Sequence, residues 1–423
     1  MDIYYCGFNS FHHVPSCPES PTLARLTLQS EALPEIRDVA ICWNFMALVD
    51  NQGSLLQYGL GFQSLDRRMR ELRLPSEARG EVLRLSATPR HLLAVTGTGE
   101  TWSYEEGKGW RRLAVLNDTA PAENEETPVV MLKTASGDST NLGLDSIGRV
   151  YSLPNRLDFR PIVQDIACGK EHNLLLTQDG VVYSWGGGSR GQLGHGSLHA
   201  ETQPRPVSLL EGIPVVSIAA GGWHSAVVTK HGDLYTFGWN ESGQLAQATN
   251  LAKPPECFSA VEKLFMACCT MQPEDATIPR GEDVYRKREG SEEPLVEDKL
   301  SEEDSLTTCY SAASCNQETD IIVVQPTPVL VTFPRKDNEE IRVLAVSCGS
   351  RHTVVLTEGN ALWAFGWNKY GQLGLGHTRS KDTVERVPLP KEWAPEKIIR
   401  SIVCGDWGTA VIISSRSSEQ KNS

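Results

Sequence analysis

The sequence predicts an all-β fold, a seven-bladed β-propeller in which the first strand of the chain completes the last blade. Three observations predict it. A segment of about 50 residues recurs along the chain, each copy contains short apolar runs joined by turns, and the two ends of the chain carry complementary halves of one copy. An open solenoid is the alternative, but it gives no reason for the two half-copies to complete each other.

Three copies of the repeat are strong. Each contains an apolar run, a turn ending in histidine, a second apolar run, a turn, a third run and a glycine-rich loop. His172 and His224 lie 52 residues apart, whereas His224 and His352 lie 128 apart, which indicates one period plus an insertion of about 76 residues. From Ile166, Ile218 and Val346 the copies read IACGKEHNLLLTQDGVVYSWGGGSRGQLGHG, IAAGGWHSAVVTKHGDLYTFGWNESGQLAQ and VSCGSRHTVVLTEGNALWAFGWNKYGQLGLG.

The remaining copies are weaker. Further copies start at Val39, Leu85 and Lys133, and a half-copy, IVCGDWGTAVII, starts at Ile402. Its missing second half is at the other end of the chain, where IYYCGFN at residues 3–9 matches VYSWG and YTFGWN. Residues 1–423 are therefore predicted to form one propeller whose N-terminal strand pairs with the C-terminal strands, so that no inner edge stays open. The units are expected to begin near residues 39, 82, 129, 164, 216, 343 and 399, the last completed by residues 1–9.

Two acidic segments interrupt the pattern. The larger, residues 247–321, separates the fifth and sixth units, and between Gly281 and Asp304 it has ten acidic and four basic residues. This composition buries too little apolar area to offset its ordering, so most of the insertion is predicted to be disordered. One run within it, AVEKLFMACC, has the spacing of a short amphipathic helix. The second connection, from Tyr104 to Glu126, is predicted to be a solvated loop.

Composition excludes several classes of protein. A net charge of -13 argues against a protein that coats nucleic acid by itself, although it leaves basic protein partners such as histone tails open. No basic segment precedes an apolar core as in a signal peptide, and no apolar run is long enough to cross a membrane. Eleven cysteines, an odd number without a Cys-x-x-Cys pair, are typical of a reducing compartment.

The repeated glycines and histidines are predicted to be structural. A phosphate-binding loop is the functional alternative for the glycines, but no Gly-Lys-Ser or Gly-Lys-Thr follows them. A metal site would need several histidines to converge on one ion, whereas a propeller distributes equivalent positions around a ring. We therefore expect no metal and no cofactor. Each repeated histidine is expected to bond to backbone between blades. The residues in this structural set are Gly169, His172, Gly221, His224, Gly349, His352 and Gly405.

The tryptophans fall into two groups. Trp239 and Trp367 lie in strand-like runs and are predicted to pack between blades. Trp223 and Trp407 occupy the place where other units carry Glu171 or Arg351. Because that place accepts charged residues, we expect it to be exposed near the central channel and to form a protein-binding site. Capping of a blade end by these rings is the alternative.

The repeated motifs resemble those of the regulator of chromosome condensation family. The resemblance rests on Cys-Gly-x-x-His, on VYSWG-like strands and on GQLGxG; it is strong in three units, partial in the others, and covers the chain outside the insertion. It implies a seven-bladed propeller that acts as a non-catalytic interaction scaffold. The similarity is greatest to a small member associated with a JmjC-type oxygenase, with chromatin and with chromosome segregation. By resemblance, we expect a JmjC oxygenase or demethylase and chromatin-associated proteins as partners. The resemblance also implies a location in the nucleus and cytoplasm, with association with chromosomes.

Two other functions stay open at this stage. The founding member of the family is a guanine nucleotide exchange factor and binds nucleosomes through a basic tail. Exchange activity on a small GTPase would need a protruding wedge, which we do not identify. The chain begins within its first strand and its basic residues do not cluster, so direct nucleic-acid binding is not expected. An enzyme would need carboxylates that converge on the channel mouth, for which Asp406 and Glu171 are candidates, and we expect none.

Overall fold

The structure is a computed structural model that describes residues 2–9, 20–26, 35–59, 70–114, 129–249, 251, 322–334, 340–394 and 396–415. The chain divides into two compact units. The first contains Met1–Pro254 and Ile321–Ser423, and its described residues form the propeller. The second unit, Pro255–Asp320, lies outside the described residues, as do almost the whole predicted disordered insertion and its predicted helix.

In the described residues, twenty-eight strands form seven four-stranded sheets, which we number as blades I to VII. The chain starts with two strands of blade VII, β1 (Asp2–Gly7) and β2 (Ser20–Arg25). Blade I contains β3 (Ile36–Ile41), β4 (Phe45–Asp50), β5 (Leu55–Gly59) and β6 (Arg70–Glu71). Blade II contains β7 (Val82–Thr88), β8 (His91–Thr96), β9 (Thr101–Glu105) and β10 (Gly109–Arg112). Blade III contains β11 (Met131–Ser136), β12 (Asn141–Asp145), β13 (Val150–Ser152) and β14 (Asn155–Arg156).

The second half of the chain repeats this order. Blade IV contains β15 (Val163–Cys168), β16 (His172–Thr177), β17 (Val182–Gly186) and β18 (Glu201–Pro206), and a short 3-10 helix, Ser208–Leu210, follows it. Blade V contains β19 (Val215–Ala220), β20 (His224–Thr229), β21 (Leu234–Trp239) and β22 (Val324–Leu330). Blade VI contains β23 (Val343–Cys348), β24 (His352–Thr357), β25 (Ala361–Gly366) and β26 (Lys381–Arg386). Blade VII is completed by β27 (Lys397–Cys404) and β28 (Gly408–Ser415).

Blade VII closes the ring, and the predicted fold class is confirmed. Strand β1 pairs with β28 without a register break, from Asp2 opposite Ile413 to Gly7 opposite Gly408. The sheet order is β2-β1-β28-β27, so the chain ends supply two strands each. The outermost strand β2 has no counterpart in the sequence prediction, because the outer strand of each blade is the least apolar part of the repeat.

The hydrophobic core lies between the blades and is built from the alternation of side chains along the second strands. In β16, Leu174 and Leu176 pack toward blade V in a cluster with Val227 and Phe237, whereas Leu175 packs toward blade III. Every residue of β16 is buried, as is every residue of β20 and β24. Both faces of such a strand are therefore covered by neighbouring blades, and a blade cannot be stable alone.

Two local predictions are corrected by the strands. The insertion lies inside blade V, between β21 and β22, rather than between the fifth and sixth units; Tyr235 pairs with Leu330 across it. The connection from Tyr104 to Glu126 is not a loop throughout, since Gly109–Arg112 forms β10 and pairs with β9. The residues that follow, 115–128, lie outside the described part of the chain. Sequence reasoning missed β10 because its residues, GWRR, have little apolar alternation.

Candidate functional site

The loops between the first and second strands of the blades surround one end of the central channel. We call this surface the mouth face and define it by residues 42–44, 88–90, 137–139, 169–171, 221–223, 349–351 and 405–407. A cavity of about 150 Å³ lies within the ring of loops. Its lining includes four cysteines, Cys42, Cys168, Cys348 and Cys404, and two carboxylates, Asp138 and Asp406.

Hydrogen bonds connect most neighbouring loops of the mouth face. The backbone N–H of Lys170 donates to Gly222 O over 3.1 Å, and that of Gly222 donates to Ser350 O over 3.2 Å. The Ser350 hydroxyl donates to Asp406 Oδ1 at 3.0 Å, and the Trp43 backbone N–H donates to Asp406 Oδ2 at 3.3 Å. The carboxylate of Asp406 thus joins blades VI, VII and I, which is a structural use for a residue that we considered as a catalytic candidate.

The Gly-x-x-His turn is a device that holds one blade to the next. In blade IV, Gly169 N donates to His172 O at 2.8 Å, and the His172 ring lies directly against the glycine. His172 Nε2 lies 2.9 Å from Ser225 Oγ of blade V, and that hydroxyl donates to Gln192 O at 2.8 Å. Because the hydroxyl proton is engaged by Gln192, His172 is the donor to Ser225 and carries its proton on Nε2.

The same device recurs at two more blade junctions. His224 Nε2 lies 3.0 Å from Thr353 Oγ1, and His352 Nε2 lies 3.1 Å from Thr409 Oγ1. Each hydroxyl again donates to a backbone carbonyl of the Gln-Leu loop, at 2.9 Å for Thr353 and 2.8 Å for Thr409. The histidines do connect blades, but their direct partner is a side-chain hydroxyl, not the backbone that the sequence led us to expect.

Burial keeps these histidines neutral. It lowers the pKa of His172, His224 and His352 to about 3 each, and for His224 the other two rings lower it further. A neutral imidazole whose Nε2 is committed to a hydroxyl bond is not a general base for a substrate at the channel. The histidines, like the glycines beside them, therefore serve the junctions.

The expected exposure of Trp223, Trp407 and Arg351 is wrong. Their exposed fractions are 6%, 5% and 1%. Each side chain packs against at least one aromatic ring instead of pointing to solvent. The Trp223 ring is T-shaped against Trp239 at 5.4 Å, and the Arg351 guanidinium lies 4.6 Å from the Trp239 ring centroid. An arginine and a tryptophan can share one repeat position because both are flat and both stack on aromatic rings.

The rings of blades VI, VII and I continue this layer. Trp407 contacts Phe8 at 5.5 Å, Trp43 at 6.1 Å, Trp367 at 6.4 Å and Tyr370 at 6.0 Å between ring centroids. At the junction of blades IV and V, the Lys170 ammonium and the Arg190 guanidinium each lie 4.8 Å from the centroid of the Trp223 ring. Cations and rings thus alternate in a buried layer of the mouth face, and the alternative that these rings cap the blade ends describes them better than exposure.

The exposed residues of the mouth face are Ser139 and three charged residues. Glu171, Arg90 and Asp138 are exposed, whereas Trp43 and Asp406 are half-buried. The loops around the channel mouth partly desolvate the Asp138 carboxyl and raise its pKa, although its side chain is exposed; Asp406 and Glu171 raise it further, while Lys170 and Arg90 lower it. Of the four residues predicted to bind a protein, the structure leaves Glu171 on the surface and places the other three in the layer below. Sequence reasoning missed Asp138 and Arg90 because their units match the repeat weakly.

The channel thiols do not form a reactive site. Burial raises the pKa of all four, to about 12 for Cys168 and to about 11 for Cys404, with Cys42 and Cys348 also well above the ordinary range. A thiol with such a pKa stays protonated and is a poor nucleophile. In the described part of the chain, no group of three or more His, Cys, Asp or Glu side chains could hold a metal ion. No helix found there is long and apolar enough to span a membrane.

Replacing Trp407 by alanine is expected to destabilise the protein by about 4 kcal/mol, because it removes a buried ring in contact with four others. The free energy of unfolding in urea measures this. Trp110→Ala is the matched control, since Trp110 lies on the outer strand β10, is only half-buried and contacts Tyr104. Equal losses in both variants would contradict the buried position of Trp407.

Comparison with known proteins agrees with the repeat. The family described as "Regulator of chromosome condensation (RCC1) repeat" matches through two models, over residues 179–228 and 360–412 and over residues 163–192, 215–244 and 343–372. The human RCC1 domain-containing protein 1 is 33% identical over 385 residues, which cover 89% of this chain and 88% of that protein.

Two further proteins are similar to the chain, one in sequence and one in structure. The human E3 ubiquitin-protein ligase HERC2 is 30% identical over 281 residues, which cover 57% of this chain and only 6% of the ligase. The crystal structure of Prp20p from Saccharomyces cerevisiae superposes with a TM-score of 0.65 at 17% identity, and covers 99% of this chain and 92% of that one. At that identity the likeness to Prp20p shows the fold alone.

Proposed function

The chain belongs to the family of proteins built from regulator of chromosome condensation (RCC1) repeats, and we propose that it is a non-catalytic scaffold that binds a protein partner through its mouth face. The observation that carries this proposal is that the side chains in and around that face fall into two groups, those that join blades and those that are exposed. The buried histidines next to that face and its Ser350–Asp406 contact join blades, and the thiols of the channel are protonated. The exposed charges of Arg90, Asp138 and Glu171 remain for contact with another molecule.

The mouth face is suited to a folded protein surface. It presents charges of both signs on short loops. The loops of Asp138 and Glu171 are joined to their neighbours by backbone hydrogen bonds, and the loop of Arg90 accepts the Asn44 side-chain amide at Pro89 O. Rigid loops lose little conformational entropy when a partner binds, and mixed charges select its orientation. Trp223, Arg351 and Trp407 support these loops from below, and in this proposal they act on binding through the position of Glu171 and its neighbours.

The partner that we propose is a JmjC-type oxygenase, with chromatin-associated proteins beside it, in the nucleus and cytoplasm and on chromosomes. The family resemblance supports this assignment, together with the extended similarity to the human RCC1 domain-containing protein 1. The similarity to HERC2 does not suggest ligase activity, because the match covers 6% of that enzyme. Binding to Gsp1p and to histones is named for Prp20p. The family resemblance also implies an exchange factor, so a small GTPase is the competing partner.

A charge swap on the mouth face tests the proposal. The variant Arg90→Glu/Glu171→Arg keeps the net charge and changes two exposed groups, and we expect it to reduce recovery of the JmjC oxygenase at least about tenfold in affinity purification from cells. The control Lys230→Glu/Asp179→Arg makes the same swap on exposed turns at the opposite ends of strands β20 and β16, and it should leave recovery unchanged.

Three results would count against the proposal. Recovery of the oxygenase with the mouth-face swap would place the binding site elsewhere on the propeller. Absence of any JmjC protein from the unmodified bait would remove the proposed partner. Preferential recovery of a small GTPase in its nucleotide-free form would replace the scaffold by an exchange factor.

A further inference from the structure

A second cavity lies at the junction of blades II and III. Its volume is about 280 Å³, and its lining includes His91, Leu93, Ser103, Arg111, Asn141 and Leu153. Leu93 and Ser103 belong to blade II and are opposite each other on β8 and β9, whereas Asn141 and Leu153 belong to blade III. The cavity is therefore a gap between two neighbouring blades, away from the central channel.

At the junction of blades IV and V, the same location is filled by the chain itself. Ser184 is opposite Leu174 on β17 as Ser103 is opposite Leu93 on β9. The Ser184 hydroxyl donates to Leu193 O at 2.6 Å, and Ser225 donates to Gln192 O at 2.8 Å. Leu193 is 1% exposed. The Gly-Gln-Leu segment thus fills the gap by presenting two consecutive carbonyls and a leucine side chain.

The next junctions repeat this filling. Between blades V and VI, Thr236 donates to Leu245 O and Thr353 donates to Gln244 O, both at 2.9 Å. Between blades VI and VII, Thr409 donates to Gln372 O at 2.8 Å, and Leu373 is buried. At all three junctions a hydroxyl of the following blade donates to the glutamine carbonyl of a Gln-Leu segment that fills the gap. At two of them a hydroxyl of the preceding blade also donates to the leucine carbonyl, whereas blade VI has Ala364 at that position.

The junction of blades II and III keeps the polar residues but lacks the segment. Asn141 stands to His91 as Ser225 stands to His172, since its Oδ1 lies 3.0 Å from His91 Nε2. Blade II passes from Glu105 to Gly109 through a tight turn, so no Gln-Leu loop extends from it. Within the described residues, the Ser103 hydroxyl and Asn141 Nδ2 donate no hydrogen bond, and both residues line the cavity.

We propose that this gap binds an extended segment of a protein partner that replaces the missing Gln-Leu loop. The segment supplies two backbone carbonyls to Ser103 Oγ and Asn141 Nδ2, and it places a leucine or a similar aliphatic side chain between Leu93 and Leu153. Arg111, which is exposed at the rim, favours a carboxylate on the same segment. The partner motif is thus a small residue, a polar residue and a leucine, with an acidic residue close by.

This inference rests on the proposed scaffold function in that it describes a partner, but it concerns a surface other than the mouth face. A direct binding measurement with a defined peptide separates the two, because it needs neither the JmjC oxygenase nor the mouth-face charges. Failure of the peptide to bind leaves the scaffold proposal untouched, and failure of the affinity purification leaves the peptide result untouched.

The probe is a fluorescein-labelled peptide, ESGQLAQ, which copies residues 241–247 of blade V. We expect saturable binding to the purified full chain by fluorescence anisotropy, and at least about tenfold weaker binding for Ser103→Ala/Asn141→Leu, since that variant removes both hydrogen-bond donors. Ser184→Ala is the matched control, because that equivalent hydroxyl is already occupied by Leu193 O, and it should bind like the unmodified chain.

A second variant guards against loss of folding. Ser103→Leu fills the cavity and removes no hydrogen bond of the described chain, so it should abolish peptide binding without lowering the melting temperature. Three outcomes would overturn the proposal. They are no saturable binding, equal binding by the variants, and binding only when residues 115–128 are replaced by a glycine–serine linker. The last would mean that the chain's own segment, which follows Ala114 at the cavity, occupies the gap.

Discussion

Lowering the pH from 7 to 5 is expected to reduce the free energy of unfolding by about 6 kcal/mol, because three buried histidines must stay neutral in the folded chain. Burial lowers the pKa of His172, His224 and His352 to about 3 each. In the unfolded chain their pKa is near the ordinary value of about 6.5. Between these two values the unfolded chain binds protons that the folded chain excludes, so stability falls as the pH falls.

The pH window follows from the two pKa values. The contribution of the histidines is complete above about pH 6.5 and is lost progressively as the pH falls toward 3. Each histidine accounts for about 2 kcal/mol between pH 7 and 5, and each bound proton contributes a slope of about 1.4 kcal/mol per pH unit. A loss of this size is comparable to the whole stability of many folded domains.

Urea unfolding at pH 7, 6 and 5 measures this loss. The variant His172→Gln should be less stable at pH 7 but should show a shallower dependence on pH, because one proton-binding site has been removed from the unfolded chain. His231→Gln changes a histidine in an exposed turn and should keep the full slope. A free energy of unfolding that is constant between pH 7 and 5 would show that the three rings are not held neutral by burial.

The sequence could predict the features that are encoded within each repeat unit. Second strands such as HNLLLT and HTVVLT are continuous apolar runs because blades cover both of their faces, so their positions and their number were readable. The half-copies at the two ends fixed the closure, and β1 does pair with β28. The outer strands contribute little apolar area, and for that reason β2 and β10 were missed.

The candidate site was less predictable, since its chemistry depends on pairs of blades. Glu171, Trp223, Arg351 and Trp407 share one repeat position, and a charged residue at such a position suggests exposure. Whether the side chain is exposed depends instead on the residues of the neighbouring blade. Arg351 is covered because Trp239 and Trp367 stand on either side of it, whereas Glu171 is exposed, and its blade has Gly187 at the position of those rings. No single repeat contains that information.

The gap between blades II and III shows the same limit. Nothing in the sequence distinguishes Ser103 and Asn141. That both line one cavity is apparent only when β9 and β12 are placed side by side. The absent Gln-Leu loop of blade II can be read from the sequence, because EEGKGW follows the third strand where GGGSRGQLG follows it in blade IV. The sequence alone does not show that the loop's absence leaves two hydrogen-bond donors facing a cavity.

Replacing Gly221 by alanine is expected to destabilise the chain by more than about 4 kcal/mol, which is enough to prevent folding of many domains. A Cβ atom at this position would lie 2.2 Å from His224 Cε1 and 2.5 Å from Gly349 O of blade VI. The first contact would move the histidine ring away from Thr353, and the second would force two loops of the mouth face apart. Soluble yield and the free energy of unfolding measure the effect.

The control variant Gly212→Ala separates the effect of a close contact on stability from the effect of backbone conformation. Gly212 has a φ of +79° and no atom within 4 Å of an added Cβ, so the cost there is conformational and amounts to about 1 kcal/mol. Gly221→Ala/His224→Ala should recover only part of the loss, because the contact with Gly349 O remains and a junction bond is gone. If Gly221→Ala cost no more than Gly212→Ala, the mouth-face loops could separate easily, and the rigid surface on which the scaffold proposal depends would not exist.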